Sequence, residues 1–305
     1  MRRRNALATV SDMAGSPYQR MRITLLGTGG PRPDPDRQAP ANLVQAGGLN
    51  IVVDAGRGVA SQLAKAGVRM PDLDVIVVTH HHFDHIGGLG DLIMSAWNIG
   101  RADPIRVFGP PGTLEVISTL LEGVYWRDVN YRIVEEKAQG HSLSPPIEML
   151  EITEVMEGTV DLGSGVALTV GEVEHGSTVL NLSLEDWATI GCRIEFGGRS
   201  VAISGDAVAG KQLHELAKDV DLLVMCAYVA ASEIDNMGTR FLTEHVIAGA
   251  PQAAQIAQRA AVARLALTHI REKTDSDVHR MRDEVAGIFT GQVIAGTDML
   301  VIEIP

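Results

Sequence analysis

Apolar residues fall in short blocks along the chain, and the spacing inside each block separates strands from helices. An extended block at 22–26 stops at Gly27-Thr28-Gly29-Gly30, and a loop with Pro31, Pro33 and Pro35 follows. A second strand is expected at 50–53, ending in Asp54-Ala55-Gly56, then a short helix at 58–66. Residues 74–78 read as a strand covered on both faces. After it the pattern predicts a helix at 89–97, a strand at 105–108 and a helix at 112–121. The middle, 147–204, is mostly strands, clearest at 166–174 and 197–204. A helix is expected at 207–217 and a buried strand at 221–226. Pro251 suits the first turn of a helix running to 261. A strand at 265–268, an amphipathic helix at 275–289 and a strand at 299–304 complete the pattern. Strands and helices alternate in each half around the strand-rich centre, which predicts two sheets packed face to face with helices outside. No stretch is long or polar enough to divide the chain, so 21–305 is expected to form one domain. Residues 1–20, polar and mixed, read as an N-terminal extension, mobile or docked on a partner.

Composition narrows the class. The chain has 305 residues, 45% apolar and 21% charged, which excludes a collagen-like or disordered polymer. No window holds the ~18 uninterrupted apolar residues of a membrane span, so no membrane partner is expected. Lys and Arg number 26 against 38 Asp and Glu, a formal charge of −12. Such a balance repels phosphate backbones, and no basic stripe offsets it. The one basic run, Arg2-Arg3-Arg4, lacks the apolar stretch that an export signal needs behind it. A cytoplasmic protein is expected. Cys192 and Cys226 lie in apolar, strand-like surroundings and read as buried free thiols.

One segment carries chemistry. Thr79-His80-His81-His82-Phe83-Asp84-His85-Ile86-Gly87-Gly88 follows the buried strand at 74–78 directly. Imidazole nitrogen and carboxylate oxygen are natural ligands of a borderline metal such as zinc. His80 and His82, two apart in an extended turn, can point one way. Asp84 and His85, on the next bend, can face a second metal.

The chain resembles the metallo-β-lactamase fold superfamily, and within it the ribonuclease Z / arylsulfatase-type branch. The resemblance is carried by Leu25-Leu26-Gly27-Thr28-Gly29, Val53-Asp54-Ala55-Gly56 and the histidine motif. Gly109-Pro110-Pro111-Gly112-Thr113, Val173-Glu174-His175-Gly176, Ile203-Ser204-Gly205-Asp206 and Leu267-Thr268-His269 continue it in the family's order. It implies a four-layer αββα sandwich with two facing mixed sheets and a dinuclear metal site between the sheet edges. By the family pattern His80, His82 and His175 hold one zinc, and Asp84, His85 and His269 the other. Asp206 bridges them with a hydroxide that serves as nucleophile. Asp54 supports the ligands without binding. Asp206 could also cap the helix expected at 207–217. Mn2+ or Fe2+ could replace either Zn2+.

Two zinc ions bring four positive charges; Asp84, Asp206 and a bridging hydroxide remove three. A locally positive site suits an anionic or polarisable ester, with Asp84 orienting the nucleophile and taking its proton. His245, in Thr243-Glu244-His245-Val246, is a second catalytic candidate, by resemblance to the histidine that assists the leaving group in the ribonuclease Z branch. The family's His-Ser-Thr run is absent, and the spacing to His269 is about two residues long. The charge, and a short, nearly uncharged 140–150 segment in place of a Lys-rich arm, point away from tRNA 3′-processing. They favour a small-molecule substrate, a sulfate ester or phosphodiester that is anionic or aryl, and no nucleic-acid partner. A lactonase or amidase on the same site, and a metal-binding protein without turnover, are the alternatives. Trp97, Tyr125, Trp126, Tyr131 and Tyr228 are candidates for lining the pocket. The helix at 89–97 carries Leu92, Ile93, Met94, Ala96 and Trp97 on more than one face, which suggests a homodimer interface at or near it.

Overall fold

The computed structural model describes residues 20–101 and 103–305; the extension expected at 1–20 lies, but for Arg20, outside the described residues. Two seven-stranded sheets form the middle of the molecule. The first contains β1 (Met21–Gly27), β2 (Ala41–Ala46), β3 (Leu49–Val53), β4 (Val75–Val77), β5 (Ile105–Gly109) and β6 (Leu150–Glu154) in that order, with β14 (Leu300–Ile304) outside β1. The second contains β7 (Gly158–Gly163), β8 (Val166–Glu172), β9 (Ile190–Phe196), β10 (Arg199–Ile203), β11 (Leu222–Cys226), β12 (Arg264–Thr268) and β13 (Gln292–Ala295). Both sheets are mixed. β3 to β6 are parallel in one and β10 to β13 in the other, while hairpins supply the antiparallel strands.

Alternation along the strands builds the four layers. Ile23, Leu25, Ile51, Val53, Val75 and Val77 point from the first sheet to Leu168, Val170, Ile194, Val201, Ile203 and Val224 of the second. The other faces are covered by helices. Leu26, Leu43, Val52 and Ile76 pack against Leu63, Leu89, Leu92 and Ile93; Ala202, Leu223, Met225 and Leu265 pack against Leu213, Ala253, Ala257 and Met281. Each fully buried aliphatic side chain contributes roughly 1.5–3 kcal/mol relative to exposure. The αββα expectation therefore holds, with a physical cause in both faces of each sheet being apolar.

Several local readings change. The helix Leu89–Asn98 does carry apolar residues on more than one face, but Leu92, Ile93, Met94, Ala96 and Trp97 are all buried in the chain's own core. It offers no uncovered apolar face, so the reason for placing a dimer interface there lapses. The expected helix at 112–121 is Thr113–Ser118 followed by a π-helical stretch, Thr119–Val124. The helix expected from 207 begins only at Lys211, behind Gly210, so Asp206 caps nothing. The strand Ala41–Ala46 and the helices Trp126–Ala138 and Met237–His245 were not foreseen. Cys192 and Cys226 are buried and free; burial pushes the Cys226 thiol up to about 12. No helix among the described residues is long and apolar enough to cross a membrane.

Candidate metal centre

Strand direction gathers the donors. β3, β4, β8, β10 and β12 all run toward the same edge of the sandwich, and the residues just past their ends are Asp54, Thr79-His80, His175, Asp206 and His269. Asp54 and His269 both have positive φ, 63° and 51°, which turns each chain sharply off its strand. The segment after β4 folds into a short helix, Phe83–Ile86, tied down by Ala55 N–H to the His85 carbonyl at 2.8 Å and Gly88 N–H to the Ala55 carbonyl at 2.8 Å. Gly56 makes this seat possible: a Cβ there would lie 2.5 Å from the Asp84 carbonyl oxygen.

All seven residues expected as ligands converge. His80, His82, His175 and Asp206 form one group, and Asp84, His85 and His269 a second; within each, the candidate atoms lie within 4.8 Å of one another. His82 Nδ1 is 3.0 Å from His80 Nε2 and 3.2 Å from His175 Nε2. Ligands about 2.1 Å from a tetrahedral zinc are separated by about 3.4 Å, so the spacing is that of one coordination shell. Asp206 divides its oxygens. Oδ2 lies 4.0 Å from His80 Nε2 and 3.8 Å from His175 Nε2, and Oδ1 lies 3.4 Å from His85 Nε2 and 3.2 Å from His269 Nε2. His269 Nε2 is also 3.3 Å from Asp84 Oδ2.

Buried polar atoms without partners mark the same spot. Asp84 Oδ2, His85 Nε2, Asp206 Oδ1 and His269 Nε2 are buried with no hydrogen bond, an arrangement costly unless a cation completes it. The donor set therefore fits two metal ions. Three of the remaining ring nitrogens are anchored: His85 Nδ1 meets Asp54 Oδ2 at 2.8 Å, His80 Nδ1 meets Thr79 Oγ1 at 2.9 Å, and His175 Nδ1 donates to the Val246 carbonyl at 2.6 Å, while His269 Nδ1 is buried without a partner. Asp54 also accepts from Thr79 N–H and Oγ1–H, at 2.8 and 2.9 Å. One carboxylate thus orients ligands of both groups.

Electrostatics follow burial and neighbours. Burial holds the imidazoles of His80 and His175 below their ordinary range and pushes His82 down to about 4, which leaves them neutral and ready to ligate. Burial acts the other way on the Asp206 carboxyl, but His269 and His85 outweigh it and hold the group well below the usual range. For His85, burial is outweighed by Asp206 and Asp54, and its pKa rises.

A cleft of about 280 Å3 opens onto these donors, walled by Pro31, Phe83, Tyr228, Leu242 and Ile247. Of the aromatic candidates only Tyr228 lines it. Trp97 is buried and donates to the Ser144 carbonyl, Tyr125 lies along a neighbouring groove, and Trp126 and Tyr131 stand on the outer surface. His245 is exposed at the end of Met237–His245, its ring 5.0 Å from that of Phe241, outside the cleft lining. Trp187, which carries no sequence signal, packs with its ring centroid 4.4 Å from that of His82, tilted, and 5.7 Å from that of His80, edge-on. Thr79, adjacent to the motif, could have been marked by its place at the strand end.

A four-layer sandwich with histidines and aspartates gathered at one sheet edge defines a metal-dependent hydrolase. The model of the β-lactamase superfamily domain matches residues 49–270. Relatives named ribonuclease Z span nearly the whole chain. That of Mycobacterium marinum is 36% identical over 92% of this chain and 98% of its own length, and that of Mycobacterium bovis 34% over 93% and 98%. The chain belongs to the β-lactamase superfamily, in its ribonuclease Z branch. Solved structures agree in fold. A metallo-β-lactamase fold protein of Bacillus subtilis superposes with TM-score 0.69 at 21% identity, covering 93% of this chain and 99% of that one. Human tRNase Z, short form, gives 0.65 at 22%, with the same coverage.

These relatives overturn two expectations, the small-molecule ester substrate and the absence of a nucleic-acid partner. The error lay in letting the net charge of −12 over the whole chain stand for the surface that meets the substrate. Charges farther away than a Debye length of about 8–10 Å are largely screened, and near this cleft arginines stand among the carboxylates, Arg32 paired with Glu272 at 3.1 Å. Burial pushes the Tyr228 hydroxyl up; Arg32 and Arg271 partly restrain it, and Glu272 and Asp206 add to the rise. Arg57 lies over Phe83.

Proposed function

We propose that the protein is a zinc-dependent phosphodiesterase that cleaves RNA, removing the 3′ trailer of tRNA precursors. The observation that carries this reading is the end-to-end similarity to ribonucleases Z together with a complete seven-donor set at the cleft floor. His80, His82 and His175 would hold one ion and Asp84, His85 and His269 the other, with Asp206 between them; five imidazoles and two carboxylates suit zinc, with manganese or iron as substitutes. Two bound zinc ions supply Lewis acidity and a water that ionises near neutral pH.

The chain's own residues do the rest. Asp84 lines the cleft; with Oδ2 turned to the metal position, its other oxygen would take the proton of the attacking water. Asp54 and Thr79 keep the rings of His85 and His80 in place. Arg32, Arg57 and Arg271 draw the polyanion to the rim. His245, one residue before the carbonyl that anchors His175, is the candidate donor of a proton to the leaving oxygen. A homodimer belongs to the same proposal, with its face moved to the exposed Tyr131 and Val134, three apart on Trp126–Ala138. So does a cytoplasmic location, whose reducing medium keeps thiols free.

The test is incubation of the zinc-loaded protein with a 3′-extended tRNA precursor, beside bis(p-nitrophenyl) phosphate. Trimming that a chelator stops and zinc restores is the expected result. An intact trailer while the small diester is hydrolysed would overturn the RNA reading and leave the hydrolase standing. Metal analysis should give two ions per chain. Light scattering should give about 65 kDa, twice the 32.6 kDa chain; a monomer mass at micromolar concentration would refute the dimer.

A further inference from the structure

We propose that the groove beside the metal cleft is a nucleobase subsite, which takes the base of the nucleotide flanking the scissile phosphate; this rests on the RNA reading above. Phe83 joins the two spaces, its ring lining both the cleft and the groove. The groove has a volume of about 440 Å3, within the range of small-ligand sites, and is walled by Ile86, Val116, Leu120 and Tyr125, with Glu115 on its lining. Phe83 lies in the ligand-bearing turn, between His82 and Asp84, yet is 61% exposed. The turn that fixes the donors therefore also fixes a largely exposed aromatic ring beside them, with Arg57 over it.

Charge points to what covers that face. The Arg57 guanidinium lies 5.6 Å from the Phe83 ring centroid and donates to the Pro31 carbonyl at 3.3 Å. Pro31 borders the cleft, so a cation stands where cleft and groove meet, on the path of the phosphate that follows. An aromatic ring with a cation beside it is how proteins hold single-stranded nucleic acid, the base on the ring and the backbone on the charge. Glu115 argues against a phosphate inside the groove, because a carboxylate repels it. The same carboxylate can accept from the exocyclic amine of cytosine. The groove is thus built for a base, with the phosphate left to Arg57.

The experiment compares wild type, Phe83→Ala and Phe83→Trp, all zinc-loaded, on the 3′-extended tRNA precursor and on bis(p-nitrophenyl) phosphate. Phe83→Ala should lower kcat/KM on RNA roughly 5- to 100-fold more than on the small diester, mainly through KM, as loss of one stacked base does. Phe83→Trp should restore most of the difference, since any flat ring can stack. Equal losses on both substrates would overturn the subsite, because a disturbed metal site acts on both alike. A tryptophan variant no better than alanine would overturn stacking. A change of molecular mass in Phe83→Ala would assign the groove to contact between copies and overturn the proposal as well. Wild type that cuts the diester but not RNA would defeat the RNA reading itself, which separates that failure from these.

Discussion

Asp54 and Asp206 divide the work of the centre at the level of single carboxylates. Asp206 places one oxygen toward each donor group, so Asp206→Ala, like His82→Ala, should abolish turnover and lower bound metal, read by metal analysis of the purified variants. Asp54 touches no candidate metal position. It orders His85 directly and His80 through Thr79. Asp54→Asn keeps the shape and weakens the acceptor, and the expected cost is about 10–100-fold in metal affinity or activity; an unchanged zinc titration would remove Asp54 from its supporting role. His245 is a different case, since its ring rests against Phe241 outside the cleft. If it donates the leaving-group proton, His245→Ala should keep two metals and lose roughly 10²–10⁴-fold in kcat. An unchanged rate with a poor leaving group would take it out of the mechanism.

Among elements, the junctions beyond the strand ends matter more than the strands themselves. Gly205 links β10 to Asp206 at φ 58°, and a Cβ there would lie 2.8 Å from that of Thr79. Gly205→Ala pushes Asp206 and Thr79 apart and places alanine at positive φ, a strain of order 1–3 kcal/mol. Its Tm should fall by a few degrees and its metal content drop with it; a variant with normal Tm and two metals would contradict this account of the turn. The strands themselves were legible because unbroken apolar runs bounded by glycine and charge have few other uses. Ala41–Ala46 was missed because Asn42 and Gln45 interrupt its run, and Met237–His245 because its apolar residues are few. Only packing shows that every apolar residue of Leu89–Asn98 is buried, with Asp91 and Asn98 left to solvent.

For the whole molecule, the proposed RNA substrate can be tested through the arginines near the cleft, since a total charge does not locate them. With Arg32, Arg57 and Arg271 at the rim, three phosphate contacts on single-stranded RNA give a log–log salt slope of about −2. Apparent RNA affinity should then fall roughly 10- to 20-fold between 50 and 200 mM salt, measured as 1/KM for the precursor. Hydrolysis of the small diester should change far less over that range. A flat RNA profile would mean that the rim arginines do not meet the backbone.

The histidine motif and its position after a buried strand were readable because metal chemistry admits few residue types and the motif is local; His175, Asp206 and His269, far from it in the chain, were legible only through the family resemblance. The two-sheet architecture was readable for a related reason, since sheets apolar on both faces must be covered on both. What tertiary structure decided depends on residues far apart in the chain meeting in space. It placed Trp187 on His82, drew Pro31, Leu242 and Ile247 into one wall, and left His245 outside. It also set Arg57 over Phe83 beside the cleft and paired Arg32 with Glu272, placements that the net charge of −12 does not describe. Composition sums charge without distance, whereas a phosphate feels only the charges within a screening length.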